Sequence, residues 1–290
     1  MRKSLVALSV VAAALPSLAN AADYSDDIHK NDYKWMQFNL MYAANELPGK
    51  SSHDYLEMEF GGRSGVVDLY GYVDVFNLTN SKGSDKNGKE KMFMKIAPRF
   101  SLDAMTGTDL SFGPVQELYI ATVFEYTGNA GNTGLVVDDK GKPVLDKDGK
   151  AQLTAPNGTN NAKVGLGSDV MVPWLGKIAL NLYAYYDVNN KDWNGYQIST
   201  NWFKPVYTFP NDTFISYQGY LDYQFGMDKK VPGLNTSNGG AMYNGIVWHS
   251  KHYALGYGLK AYHNVYGLKD GGIAGKTSGF AHYVSASYKF

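Results

Sequence analysis

The chain has no cysteine in its 290 residues, so no disulfide framework and no thiolate metal site is available to it. It also lacks a long apolar run. Residues 5–15 are the nearest approach, and they fall short of the roughly 18–20 apolar residues a membrane helix requires. No later stretch is apolar or long enough, which excludes an α-helical membrane protein. An excess of one charge is missing too, since 27 Lys and Arg stand against 27 Asp and Glu. Without Arg2 and Lys3 the balance is slightly acidic, and a nucleic-acid binder would usually be basic. There is no phosphate loop and no dinucleotide fingerprint. What is abundant is tyrosine, at 23 residues, and glycine, at 32. Tyrosine suits positions with one wet and one apolar end, as in the aromatic girdles of membrane interfaces.

The first residues read as an export signal. Arg2 and Lys3 form a positive start, residues 5–15 an apolar core, and Ala19-Asn20-Ala21 a small-residue cleavage site. We expect residues 1–21 to be a signal peptide cut after Ala21. Residues 22–290 then form a single exported domain, large enough to fold without disulfides.

The stretch 91–126 carries the clearest pattern. In KMFMKIAPRFSLD, Met92, Met94, Ile96, Pro98, Phe100 and Leu102 fall on one face, and Phe93, Lys95, Ala97, Arg99, Ser101 and Asp103 on the other. Successive strand side chains point to opposite faces, so this is a strand with one apolar side. Further on, Gln116, Leu118, Ile120, Thr122 and Phe124 alternate against Val115, Glu117, Tyr119 and Ala121. Pro98 has no amide to donate, and its place in mid-strand predicts a local bulge.

About twelve such segments follow one another, each near the roughly 9–11 residues with which a tilted strand crosses a bilayer. They are 33–42, 53–61, 66–77, 91–102, 115–126, 162–172, 178–188, 196–205, 213–225, 240–249, 253–265 and 279–290. Odd-numbered connections are mostly long, at 43–52, 78–90, 127–161, 226–239 and 266–278, and only 189–195 is short. Even-numbered ones are tight, at 62–65, 173–177, 206–212 and 250–252, with 103–114 the exception. Short periplasmic turns and longer outer loops are the parity of a transmembrane barrel, and a soluble sandwich has no reason to sort its loops this way. The predicted fold class is therefore all-β, an antiparallel transmembrane barrel of about twelve strands. Phe280, His282, Val284, Ala286, Tyr288 and Phe290 alternate on one face up to the last residue. The terminal Tyr-x-Phe looks like the sorting signal of bacterial outer-membrane barrels, so Phe290 is the expected handle for the assembly machinery.

The long connection 127–161 is expected to be an extended outer loop carrying a small hairpin. Its Asp146-Lys147-Asp148-Gly149 reads as a solvated turn rather than a calcium loop, because Asn157 stands where an EF-hand needs a glutamate. No metal and no cofactor is expected.

If the apolar face meets lipid, the other face lines a lumen. The candidates are Glu57, Glu59, Asp68, Tyr70, Tyr72, Asp74, Lys95, Arg99, Asp103, Glu117 and Tyr119. Later strands add Asn181, Tyr183, Tyr185, Asp187, Gln197, Asn201, Gln218, Tyr220, Asp222, Lys260 and Tyr262. Two readings stay open. Ion pairs can stiffen a plugged structural or receptor barrel. Alternatively, aromatic faces with polar groups at intervals form a wet path for small amphipathic solutes such as nucleosides. Enzymatic pairs are not expected: His53-Asp54 and His263-Asn264 are neighbours on strands and point to opposite faces.

Several motifs resemble one family. APRFSLDAMTGTDLSFGPVQELY (97–119) closely resembles the signature of the Tsx family of outer-membrane nucleoside channels, and DYLEMEF (54–60), DLYGYVD (68–74) and DWNGYQ (192–197) match its pattern. NDYKWMQFNLM and SSHDYLEMEFGGRSGVVDLYGYVDVFN look like the OmpK branch of vibrios. The resemblance implies a monomeric, narrow, twelve-stranded barrel in the outer membrane. It implies passive, selective nucleoside diffusion, surface loops that a bacteriophage can use as a receptor, and no stable nucleic-acid binding. It also implies that Glu57, the first glutamate of the YLExE pattern, lines the channel, with Tyr196 of the W-x-G-Y pattern as a second lumen residue. The first outer loop departs from the pattern, since Leu47 before Pro48-Gly49 stands where an aromatic is implied.

Overall fold

Alternation organises the backbone from end to end. The computed structural model describes residues 23, 24, 26–127, 136–145, 160–229 and 231–290. Among these, the strands are β1 (Tyr33–Glu46), β2 (Ser51–Ser64), β3 (Val67–Phe76), β4 (Met92–Ser101), β5 (Val115–Tyr126) and β6 (Asn160–Val172). They continue as β7 (Gly176–Asp187), β8 (Asp192–Thr208), β9 (Phe214–Phe225), β10 (Asn238–His249), β11 (Tyr253–His263) and β12 (Gly279–Lys289). Each pairs antiparallel with its sequence neighbours, and β1 closes on β12, so the wall is a closed barrel without an edge. Closure lets strand pairing satisfy the backbone polar groups within the wall, which a hydrocarbon surrounding demands.

The two faces sort by chemistry. Leu40, Ile120, Phe124, Leu166, Leu182, Ile246, Leu255 and Val284 all stand exposed on the outside, with Leu166 at 68%. An apolar belt of this extent is untenable in water and is what lipid tails cover. Aromatic rings mark its borders. Trp174, Tyr207, Tyr253, Tyr288 and Phe290 lie at the short-turn end, and Tyr42, Tyr126, Trp193, Tyr196 and Phe225 at the other. Polar atoms on this face pair with one another: Tyr257 Oη meets His282 Nδ1 at 2.8 Å, and Tyr217 Oη donates to Asn244 Oδ1 at 2.7 Å.

Two local expectations need correction. Pro98 makes no bulge. Leu69 pairs with Pro98 in an unbroken β3–β4 register, and β4–β5 pairing resumes at Arg99–Ala121 in the register of Ile96–Phe124. The missing amide costs that ladder a donor, and Thr122 Oγ1 donates to the Pro98 carbonyl at 2.8 Å instead. The first outer connection is not long, because β1 and β2 run on past the apolar belt and leave only residues 47–50 between them. Their extra turns pack inward, where Ala43, Leu47 and Tyr55 join Tyr262, Val265, Ala281 and Tyr283 in a buried cluster. The long inner connection holds a short helix, α1 (Leu102–Thr106), whose N-cap Ser101 accepts from the Ala104 amide.

Within the long loop, residues 136–145 form a hairpin closed by Asp138 and Lys142, with Asp138 Oδ1 accepting from the amides of Lys140 and Lys142. Residues 1–21 and the Asp146–Gly149 turn lie outside the described residues.

Candidate functional site

The inward face builds three tiers. The lowest, near the short turns, is a lattice of paired charges. Arg63 on β2 donates to Glu117 at 3.0 Å, to Asp68 at 3.2 Å and to the Tyr119 hydroxyl. Arg99 on β4 binds Asp68 at 3.2 Å and Asp169 at 2.9 Å, with its guanidinium 4.0 Å over the Tyr119 ring. Lys177 reaches Asp169 at 3.2 Å, and the Tyr119 hydroxyl donates to the same carboxylate at 3.1 Å. The N-terminal segment closes this tier from below. Tyr24 Oη donates to Glu117 at 2.6 Å and accepts from Arg63 at 2.9 Å. Burial raises the Tyr24 phenol well above its usual range, so it stays a donor at physiological pH. Asp32 pins the segment by accepting from the Gly65 amide at 2.8 Å.

The middle tier has two unlike walls. On β1–β3, Glu57 accepts from Asn39 at 2.6 Å, while Glu59 accepts from Gln37 at 2.7 Å, Asn39 at 3.1 Å and Tyr70 at 2.9 Å. Asp74 is opposite Glu57 in the β2–β3 register. Beside these carboxylates climbs a row of rings: Trp35 to Tyr70 at 6.3 Å, Tyr70 to Tyr72 at 6.1 Å and Tyr72 to Phe93 at 5.8 Å. On the far wall, Lys95 meets Asp222 at 3.4 Å, Lys163 meets Glu125 at 2.7 Å, and Gln197 donates to Asp222 at 3.2 Å. The upper tier is tyrosine-rich: Tyr220 and Tyr243 stack at 5.8 Å, and Tyr262 and Tyr283 share a hydrogen bond of 2.8 Å under Glu46.

Glu57, Glu59, Asp68, Tyr70, Tyr72, Asp74, Lys95, Arg99, Glu117 and Tyr119 all share this inner face. Tyr196 does not, which corrects its placement in the lumen. It stands 52% exposed on the outside and stacks on Phe225 at 5.7 Å, while its neighbour Gln197 is buried inside. Plain alternation places it there, since Tyr196 pairs with the outward Ala184 and Gln197 with the inward Tyr183; the β7–β8 bulge, with Gly195 at φ +79, lies beyond it. Sequence reasoning missed Arg63, Glu125, Lys163 and Asp169. Their signal was present, since Arg63 continues the Glu57–Glu59 period on β2 and Lys163 and Asp169 share a face on β6.

Leu47, where the family pattern implies an aromatic, is buried in the cluster below the upper mouth. His53 and Asp54 do point apart, but His263 and Asn264 do not: β11 ends at His263, and the Asn264 Nδ2 meets His263 Nε2 at 3.1 Å. His53 is enclosed beside Ser51, Ser84 and Glu46, whereas Asp54 accepts from Thr79. Among the described residues no group of His, Cys, Asp and Glu is arranged to hold a metal ion.

A closed barrel with a lipid-facing apolar belt and a charged, tyrosine-rich interior defines a transmembrane β-barrel protein. The comparisons with known proteins place it more closely. The family model described as nucleoside-specific channel-forming protein, Tsx, matches residues 30–290, and the chain belongs to that family of outer-membrane proteins. It is 63% identical to outer membrane protein OmpK of Vibrio parahaemolyticus serotype O3:K6, over all of both chains. It is 28% identical to the nucleoside-specific channel-forming protein Tsx of Salmonella typhimurium, again over all of both. Among solved structures, the KdgM porin aligns over 88% of this chain and 99% of its own at 11% identity and a TM-score of 0.43.

Proposed function

We propose that the barrel is a monomeric, passive and selective channel for nucleosides or similar small solutes. One observation carries the reading: the row Trp35, Tyr70, Tyr72 and Phe93 runs beside Glu57, Glu59 and Asp74 on one lumen wall. Ring faces stack on bases, while carboxylates and amides accept and donate to sugar hydroxyls. The Salmonella relative's name points the same way. Glu57, Glu59, Asp68, Asp74, Lys95, Arg99, Glu117 and the tyrosines beside them are the residues we assign to the path. No enzymatic step is part of this reading. We further propose that residues 1–21 are removed on export, that Phe290 is read by the outer-membrane assembly machinery, and that a bacteriophage can use the outer loops.

A second reading has its own support. The buried pairing of Arg63, Arg99 and Lys177 with Asp68, Glu117 and Asp169 suits a stiff, plugged receptor barrel. Single-channel current in planar bilayers separates the two. Saturable block by adenosine or thymidine, weakened by Glu57→Ala, is the result expected of the nucleoside channel. Conductance without block removes the specificity, and no conductance at all favours the receptor.

A further inference from the structure

Not every charge in the lumen has a counter-charge. Arg63, Arg99, Lys177, Lys95 and Lys163 each stand within ion-pair distance of a carboxylate. Glu57, Glu59 and Asp74 form no such pair among the described residues, and the bonds to Glu57 and Glu59 come from the neutral groups Asn39, Gln37 and Tyr70. Asp74 is only 6% exposed, and its Oδ1 has no hydrogen-bond partner. Lys260 is the complementary exception. Its ammonium lies over three tyrosine rings, 5.1 Å from Tyr262, 5.7 Å from Tyr283 and 5.8 Å from Tyr220, and has no ion-pair partner among the described residues. Tyr243 completes the ring set by stacking on Tyr220 and meeting Tyr283 edge-on. Tyr55, two residues before Glu57 on the same face of β2, packs in one cluster with Tyr262 and Tyr283, and Tyr243 packs against it, so cage and wall adjoin in one section of the lumen.

We propose that this section is a binding site for organic ammonium cations, with the ammonium of Lys260 a tethered stand-in for the solute in the tyrosine cage. The parts match that chemistry. Tyrosine faces attract ammonium groups through their quadrupole. An ammonium brings three donors, and the unpartnered Asp74 Oδ1 is an acceptor awaiting one. Three carboxylates against the single ammonium of Lys260 leave an excess of negative charge, which raises the local concentration of positive solutes. A metal ion is the poorer fit, because these oxygens do not gather in a ligand group. The proposal rests on the barrel conducting and not on its passing nucleosides.

Spermidine, titrated against single-channel current in planar bilayers, is the probe. The native barrel should show saturable block. Glu57→Gln with Asp74→Asn should raise the half-blocking concentration roughly tenfold or more, a factor that corresponds to about 1.4 kcal/mol. Lys260→Met should shift it the other way, because the tethered competitor is gone. Heat-modifiable gel migration confirms that each variant is a folded barrel. If the double variant does not fold, Asp74→Asn alone carries the test, with the same direction expected. Absence of spermidine block in the native barrel, block unchanged by the carboxylate variants, or block weakened by Lys260→Met would each overturn the proposal. Adenosine block recorded in the same channels keeps the nucleoside reading separate: its absence beside intact spermidine block sinks that reading alone.

Discussion

Arg63 touches Asp68, Glu117, Tyr119 and Tyr24, which joins β2, β3, β5 and the N-terminal segment through one guanidinium. It is 7% exposed, so its loss would leave the buried Glu117 with the Tyr24 hydroxyl but no counter-charge among the described residues, while Asp68 keeps Arg99. Breaking a buried pair from one side costs on the order of 3–5 kcal/mol. Arg63→Ala should lower the unfolding free energy by about that amount in urea titrations of the detergent-folded barrel. An unchanged midpoint would mean the lattice is solvated and weak. Asp32 makes a pH prediction of definite sign. The Gly65 amide, then His29 and Ser64, hold its carboxyl below the ordinary carboxylate range. The docking it provides is therefore complete above its unfolded pKa of about 4, and is lost as pH falls through the lower folded value. Amide exchange at Gly65, corrected for the intrinsic rate, should be protected at neutral pH and lose that protection in strong acid. Asp32→Ala should lack the protection at either pH.

At the scale of the strand, much was legible in advance. One alternating period fixes which residues of β4 and β5 face lipid, and Lys95, Arg99, Glu117 and Tyr119 follow from it. Closeness across the barrel was not legible, because Arg99 and Asp169 lie far apart in the chain and meet only once the wall closes. The outward turn of Tyr196 was legible too, since alternation with the inward Gln197 already requires it; the β7–β8 bulge, where Asn194 and Gly195 together oppose Tyr185, was not. The true extent of β1 and β2 was hidden for another reason, since beyond the belt their pairing is sustained by inward packing of Ala43, Leu47 and Tyr55. Glycine carries a constraint of its own in β6. A Cβ on Gly165 would clash with the Leu182 carbonyl oxygen on β7, backbone that cannot swing aside. Gly165→Ala should destabilise the barrel by about 1–3 kcal/mol, read as a lower urea midpoint. A midpoint equal to that of the native chain would show that β6 and β7 adjust freely.

The whole molecule is a wall between two solvents, and its composition follows from that. Apolar side chains face out to lipid, aromatic rings mark both borders, and nearly all the charge of the strands is turned inward. The chain belongs to the Tsx family of outer-membrane channel-forming proteins. Within that frame the lumen is graded: a paired lattice at the short-turn end, then an acidic wall with rings beside it, then a tyrosine-rich upper mouth. A narrow path of that kind should rank solutes by chemistry before size. Swelling of liposomes carrying the folded protein, in isosmotic uridine and in isosmotic glucose, tests this most directly. Uridine is the larger molecule, so faster swelling in uridine is the result the graded lumen predicts. Faster swelling in glucose would reveal an unselective hole, and no swelling in either would mean that the lattice around Arg63 seals the barrel.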